Sequence, residues 1–491
     1  MNVEAIYRQF TSGARSGAVR AGWVESYLES PITFWCSLHA PPDARDPMND
    51  FQQHIFDVGN AHQDEVNDRL YPGGVQEIFT DEEEGFLRSL EVMSEGWEFL
   101  KNMPLVCWPH GLTGRPDILE RVDGVPSNFG DFSYRVIEIK SSRKLRESQI
   151  LQGALYNRVL GLVQGYEPPV FQMVNRDFDV IPVTMADVSR RLDQVLEGVR
   201  EIVGGRPVEP CHGAARWPWV SYVDGLAVAA NDVSLIPGIG AATRSNLLEA
   251  GFSTVQNVAS AEEADLVAVK RVGVATAKKM VVSAQAIQGK KPLRRGEMAE
   301  LRRGKTEVFF DFEGAQDQEG DDGLEMVNYL IGAVYRTPGG QARYKQFFAE
   351  SFDKEDDNLN DFLRWAGSLE DPVFYHWHHY EHTHLKKMVE RYGVDPQLAA
   401  AVLDRLEDLF PWATKGYAFP AYGESLKAIA RCLGFKWRQD DVTGVGSMAL
   451  YMQYVESGSV NKPTKDKIVV YNEDDCFATM HIYDWVMAQE S

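Results

Sequence analysis

The segment YRVIEIKSS sets Glu138 and Lys140 two residues apart in an otherwise apolar run. Side chains alternate faces along a strand, so Val136, Glu138 and Lys140 share one face and Ile137 and Ile139 the other. An acid and a base on a buried strand face need a partner or a task, because desolvated charge is costly. Upstream, GRPDILE supplies Asp117. Asp117 and Glu138 together offer the hard carboxylate oxygens that Mg2+ prefers. Lys140 beside them has the charge to orient a water and to offset a phosphate. In SQILQGALYNRVLGLV, Gln152 and Tyr156 stand one helical turn apart and share a face; in VGNAHQDEV, His62 and Glu65 are three apart on another helix. Taken alone, an acid-x-Lys pair also fits a surface ion pair of little energetic value.

A second constellation opens in TEVFFDFEG. Phe309, Asp311 and Glu313 fall on one strand face and Val308, Phe310 and Phe312 on the other. Two acids on one face repel unless a cation sits between them. Near the C-terminus, IVVYNEDDCFATMHIYDWV reads as a helix that stacks Tyr471 over Asp475, with Asp474 as the neighbouring alternative. Between the two, DPVFYHWHHYEHTHL carries Glu381 one turn before Leu385, and SLKAIARCLGF supplies a further helix. The histidines from His376 to His384 invite a zinc reading, which the order of the acidic motifs makes unnecessary.

The first series, His62 in GNAHQDE, Asp117 in RPD, Glu138 and Lys140 in EIK, and Gln152 with Tyr156 in QGALY, resembles the RecB-like branch of the PD-(D/E)xK nucleases. The resemblance implies that His62, Asp117 and Glu138 bind metal, that Lys140 is catalytic, and that Gln152 and Tyr156 line the DNA side. Many such nucleases hold an iron–sulfur cluster on four thiolates. Here only Cys36 and Cys211 stand in the corresponding regions, with Trp217, Trp219 and Ser221 where ligands are expected, so no cluster is expected and aromatic packing takes the space.

The second series resembles the RNase H-like DEDD exonucleases of the tyrosine subgroup, over roughly the last 190 residues. That resemblance implies metal binding by Asp311, Glu313, Glu381 and Asp475, with Tyr471 orienting the attacking water and two Mg2+ or Mn2+ ions clamping the phosphodiester. Most members carry Asp where this chain has Glu381.

Between the two lies LIPGIGAATRSNLLEAGF, which resembles a helix-hairpin-helix. Gly238 and Gly240 permit a tight turn whose N–H groups meet a phosphate at a helix start. Arg244, and Lys278 with Lys279 after the second turn at Gly273, add charge. Ala275 replaces the usual second glycine there. A module that only packs two domains together is the open alternative.

These pieces need scaffolds. The 491 residues are too many for one core. The expected architecture is α/β multidomain: a restriction-endonuclease-like PD-(D/E)xK core over 1–226, a small all-α hairpin unit over 230–288, a basic linker over 289–305, and an RNase H-like domain over 306–491. The linker is either solvated or a nucleic-acid contact. Five scattered cysteines and the lack of a signal-peptide pattern point to a reducing, cytoplasmic setting, and no run is apolar enough for a membrane. A net charge of −22 argues against a protein that simply coats DNA. The domain order resembles bacterial RecB-family nucleases. It implies a metal-dependent deoxyribonuclease acting on single- or double-stranded DNA, with RNA open, in processing, repair or phage defence beside partner proteins. A non-catalytic or single-site adaptor in a nucleoprotein complex is the alternative.

Overall fold

The computed structural model describes residues 2–315, 327–439 and 444–490. The chain divides into two units: Met1–Met48 with Gln53–Gly225, and Asn49–Gln52 with Leu226–Ser491. The hairpin segment thus shares a unit with everything that follows it.

The first unit is built on a six-stranded mixed sheet whose strands follow one another in chain order: β1 (Val75–Gln76), β2 (Phe99–Lys101), β3 (Ile118–Ser127), β4 (Gly130–Ile139), β5 (Val170–Val174) and β6 (Val180–Thr184). β4 carries the alternation seen in its sequence. Tyr134 and Val136 enter the main core with Leu119 and Val159. Ile137 and Ile139 enter a separate cluster with Val66, Tyr71 and Val174. Lys140 lies one residue past the strand, but its N–H still bonds the Val174 carbonyl at 2.8 Å, so the pleat carries through it. The region Met103–Gly124 holds two short strands, Leu105–Cys107 and Leu112–Gly114, and then the start of the long β3. Beyond Ile118 and Leu119, β3 turns polar with Glu120, Arg121 and Asp123 and is less buried, which conceals the strand from a hydrophobic pattern.

Four helices of this unit matter below: α1 (Ala21–Glu29), α2 (Pro31–His39), α3 (Asp50–Arg69) and α4 (Glu147–Gln164). At the start of α4 the Gln149 side chain reaches back to the Arg146 N–H at 2.9 Å. α4 is buried along nearly all its length and packs on β4 and α1.

In the second unit, the hairpin tandem has its own core, including Val233, Ile236, Leu247, Val258, Val272 and Met280. Gly238 takes φ +87°, a value that favours glycine, and Gly240 caps α5 (Ala241–Glu249). Gly273 caps α6 (Val274–Gly289) in the same way. The basic connector is no loose tether. Leu293–Arg294 pairs antiparallel with Tyr417–Ala418. Arg295 is half-buried, donates to Ser283 Oγ at 2.7 Å and to the Thr414 carbonyl, and meets Glu424 at 3.2 Å. Lys279 of the tandem meets the same Glu424 at 2.9 Å.

The remaining domain is a five-stranded sheet in the order β9-β8-β7-β10-β11, with β7 (Thr306–Ala315), β8 (Val327–Arg336), β9 (Arg343–Phe348), β10 (Pro372–His376) and β11 (Leu406–Asp408). β7 is central, antiparallel to β8 and parallel to β10. Its two faces feed different cores. Val308, Phe310 and Phe312 pack with Phe362 and Leu385, while Phe309 packs with Tyr375 and Tyr483. The helices used below are α7 (Tyr380–Tyr392), α8 (Leu426–Cys432), α9 (Gly444–Glu456) and α10 (Lys462–Glu490).

Candidate functional site

In the first unit, β4 presents Glu138 and the following Lys140 towards Asp117, which immediately precedes β3. The Lys140 ammonium lies 3.3 Å from Glu138 Oε1 and donates to Gln152 Oε1 at 2.6 Å. Gln152 Nε2 in turn donates to the Tyr156 hydroxyl at 3.3 Å. Asp117 accepts the Ile139 N–H at 2.8 Å, and its own N–H reaches Glu138 Oε2 at 3.4 Å. Five residues separated by up to forty positions thus form one connected polar group. Tyr156 can lie there because residue 114 is glycine: a Cβ at Gly114 would stand 2.6 Å from the Tyr156 ring.

Burial governs the charges. It raises the Glu138 carboxyl to about 8, with Asp117 adding to the shift and Lys140 opposing it. Asp117 is raised by burial too, against the pull of Lys140. Burial alone would lower Lys140, but Glu138, Glu25 and Asp117 outweigh it and raise the ammonium. Two participants were not singled out from sequence. Glu25 on α1 lies 3.8 Å from Lys140, and Gln63 on α3 donates to Asp117 Oδ1 at 3.1 Å. His62, next to Gln63, is buried with its ring edge-on to Phe178 at 5.4 Å. Gln63 was detectable only as the neighbour of His62; Glu25, in an unremarkable helix, gave no signal.

In the second unit, the acids of β7 meet the C-terminal helix. Asp311, Glu313 and Asp475 bring one carboxylate oxygen each within 4.8 Å of one another, and this is the one such group of acidic, imidazole or thiol ligands among the described residues. Glu381, at the start of α7, hydrogen-bonds Asp311, and a cation between the two carboxyls would serve both. Its Oε2 is buried without a hydrogen bond, 3.5 Å from His376 Nδ1. Burial and the neighbouring acids raise Asp311 and Glu313 well above the usual carboxylate range. Burial pushes Glu381 up to about 8 and Asp475 to about 6, the latter held down by the Trp437 N–H and by Lys427. Four crowded acids that resist ionising, with an orphaned oxygen among them, suit a hard divalent cation such as Mg2+ or Mn2+.

Helical geometry separates Asp474 from Asp475. Asp475 accepts Trp437 Nε1 at 2.6 Å and the Tyr471 hydroxyl. Asp474 is bound by Arg438, whose backbone N–H and Nε reach it at 2.7 and 2.8 Å. The supporting residues were not foreseen. Asn472 donates to Asp311 Oδ2 at 2.9 Å and accepts from the Tyr344 hydroxyl at 2.9 Å. Gly332 pairs with Asp311 across the ladder, and a Cβ there would overlap the Asn472 amide. Ser447 of α9 hydrogen-bonds Glu313. On α8, the Lys427 ammonium lies 4.4 Å from the Tyr471 ring centre. Among the described residues no histidine of the 376–384 stretch enters a metal-binding group.

The hairpin tandem requires one correction. Arg244, expected to contact phosphate, is buried and holds Asp232 through two bonds of 2.9 and 2.7 Å. Its charge is consumed inside the fold, and Asp232 is lowered below the usual carboxylate value against the opposing effect of burial. Lys278 is exposed at the second hairpin. Cys36 is buried beside Ile32, Ala215, Trp219 and Val223, and burial pushes its thiol up to about 11; Cys211 is partly exposed. Among the described residues no helix is long and apolar enough to cross a membrane.

With this geometry in place, comparison with known proteins identifies two modules. Residues 308–487 match the RNase_H superfamily, and residues 231–286 match the SAM-like helix-hairpin-helix tandem. A stretch of 54 residues is 44% identical to the DNA repair and recombination protein RadA of Methanoculleus marisnigri. It covers 11% of this chain and 17% of that protein, so the chain spans less than a fifth of that relative's length. The chain thus carries a helix-hairpin-helix tandem followed by an RNase H-like module.

Proposed function

We propose that this protein is a divalent-cation-dependent nuclease that hydrolyses phosphodiester bonds of DNA, acting as an exonuclease at the Asp311 cluster. The observation that carries the reading is the convergence of Asp311, Glu313 and Asp475 within 4.8 Å, with Glu381 bonded to Asp311. Asp311, Glu313, Glu381 and Asp475 would hold Mg2+ or Mn2+, which when bound would offset negative charge on the phosphate. Tyr471, hydrogen-bonded to Asp475 and kept protonated by burial, orients the attacking water through its hydroxyl. Trp437 and Asn472 fix the carboxylates so that little reorganisation is needed on reaction. The hairpin tandem binds the DNA backbone without reading sequence, through the helix starts at Gly240 and Gly273 and through Lys278. The 54-residue likeness to a DNA repair and recombination protein favours DNA over RNA as the ligand.

We assign a second, RecB-like site to Asp117, Glu138 and Lys140, with Gln152, Tyr156 and His62 around it. A single-site reading has its own support: Asp117, Glu138 and His62 do not form a three-ligand group, and Lys140 already neutralises Glu138. End-labelled single- and double-stranded DNA and RNA, incubated with Mn2+ or Mg2+, separate these readings. Loss of stepwise end products in Asp311→Asn, and of internal cuts in Lys140→Ala, supports two sites. Full activity in both variants and in their combination refutes the assignments.

A further inference from the structure

In the first unit, a cavity of about 460 Å3 is lined by Arg15, Arg20, Trp23, Glu82, Trp108 and Thr113. The fold fixes where it lies. Val19–Arg20 pairs parallel with Leu112–Thr113, and α1 starts directly after Arg20. One residue past Thr113 is Gly114, where a Cβ would stand 2.6 Å from the Tyr156 ring. One residue before Trp23 is Gly22, where a Cβ would stand 3.9 Å from Gln152 Nε2. The cavity therefore adjoins the Gln152 and Tyr156 side of the Asp117 group.

Its charges are loosely held. Arg15 meets Glu82 at 3.7 Å and Asp81 at 3.9 Å, and Arg20 meets the same Glu82 at 3.7 Å, all longer than a hydrogen bond. Half or more of each arginine side chain is exposed. Asp81 is engaged in capping, accepting the Glu83 and Glu84 N–H groups at 2.9 Å each. Two guanidinium groups thus share one lining carboxylate, and both keep donors for an anion. The flat walls are indoles. Trp23 is partly exposed, with the Arg20 guanidinium 5.8 Å from its ring centre. Trp108 is more than nine-tenths buried, and its indole N–H has no acceptor among the described residues. A buried indole N–H usually finds one.

Paired guanidinium groups beside flat indoles match a ligand that is anionic at one end and a planar ring at the other. We infer that this cavity is a nucleotide-binding site, in which Arg15 and Arg20 take the phosphate and the base lies against Trp23 and Trp108. Glu82 offsets the repulsion between the two arginines and still leaves the lining a positive balance. A volume of about 460 Å3 is that of a small-ligand pocket. A free mononucleotide and one unpaired nucleotide of a strand offer the same chemistry. The inference does not depend on metal binding or cleavage at either acid group.

Binding to the full chain in EDTA tests it. Deoxyadenosine 5′-monophosphate, deoxyadenosine and a 5′-labelled oligodeoxyadenylate are titrated into wild type, the double variant Arg15→Gln with Arg20→Gln, and Trp23→Leu. The mononucleotide should bind about tenfold more weakly to the double variant. It should lose about as much in Trp23→Leu, through lost stacking. Deoxyadenosine should bind wild type as weakly as the mononucleotide binds the double variant, and should lose nothing further there. If the oligonucleotide weakens in the same variants and the mononucleotide displaces it, the site takes a nucleotide of a strand. If only the mononucleotide weakens, the site takes a free nucleotide. No binding of the mononucleotide to wild type, an affinity unchanged in the double variant, or an equal loss for nucleotide and nucleoside overturns the inference. Should Trp23→Leu unfold, the exposed arginines of the double variant still decide. Cleavage of labelled DNA in Mn2+, measured separately, reports the nuclease reading, which stands or falls apart from this site.

Discussion

The acid groups of the two units use the same residue types to different electrostatic ends. Around Asp117 and Glu138, one lysine serves two acids, and Lys140 lies within ion-pair distance of Glu138. Around Asp311, four acids crowd together, and burial and their mutual repulsion raise Asp311 and Glu313 well above the usual carboxylate range. In the first group Lys140 opposes the rise that burial imposes on both acids. The second is an incomplete anion cage whose stability depends on what enters it. A carboxylate cluster is therefore better judged by its uncompensated charge than by its number of acids.

The sharpest way to break this contrast is at the acids themselves. Asp311→Asn should lower exonucleolytic release of nucleotides from labelled DNA by about 100-fold or more, as loss of a group aimed at the reacting phosphate does. If Asp117→Asn abolishes the same products instead, the roles of the two groups are reversed. Next comes Lys140→Met, which strands Glu138 and Asp117 in a buried setting. It should cost about 3 kcal/mol in metal-free protein, with Lys427→Met costing much less. Hydrogen exchange in peptides spanning 130–140 and 306–315 measures both losses in the intact chain.

Gly332→Ala tests how the incomplete cage is held together. The added methyl collides with the Asn472 amide that positions Asp311, and the Tyr344 hydroxyl lies 2.8 Å from the same point. The expected cost is about 1–3 kcal/mol, with lower activity at the Asp311 group and none of the effect at Lys140. The smallest effect is on pH. Raised carboxyls favour the folded state fully only below their unfolded values, near 4. That contribution is lost as pH rises through about 6 for Asp475 and about 8 for Glu381. In EDTA, exchange protection of 306–315 and 462–490 should therefore fall between pH 5 and 8, by an amount equivalent to a few degrees in Tm, about 1–2 kcal/mol. Mn2+ should cancel the fall by binding the ionised acids. A protection profile flat with pH, with or without Mn2+, would contradict the view that these acids are strained by their mutual repulsion.

Much of this was legible residue by residue. The alternation of Val136, Ile137, Glu138 and Ile139 told which side chains share a face, and the faces feed separate cores. The same holds for Phe309 against Val308 and Phe310. Four-residue spacing stacked Tyr471 over Asp475 and left Asp474 to Arg438. Less legible were side chains whose value comes from what they meet. Arg244 looks like any hairpin cation until Asp232 is found across from it. The basic connector looks like a solvated tether until Arg295 is seen half-buried against Glu424, Ser283 and Thr414. Glu25, Gln63, Asn472, Ser447 and Gly332 carry no local pattern.

From the sequence alone came the strand and helix periods and the identities of the acids on each face, because each depends on neighbours within a turn or a pleat, and with them the hairpin tandem ahead of the RNase H-like module. Which acids converge, which cations are spent inside the fold and which remain for a ligand was decided only by tertiary structure. Asp311 and Asp475 are brought together by packing a C-terminal helix on a central strand, and no local preference of either segment contains that contact.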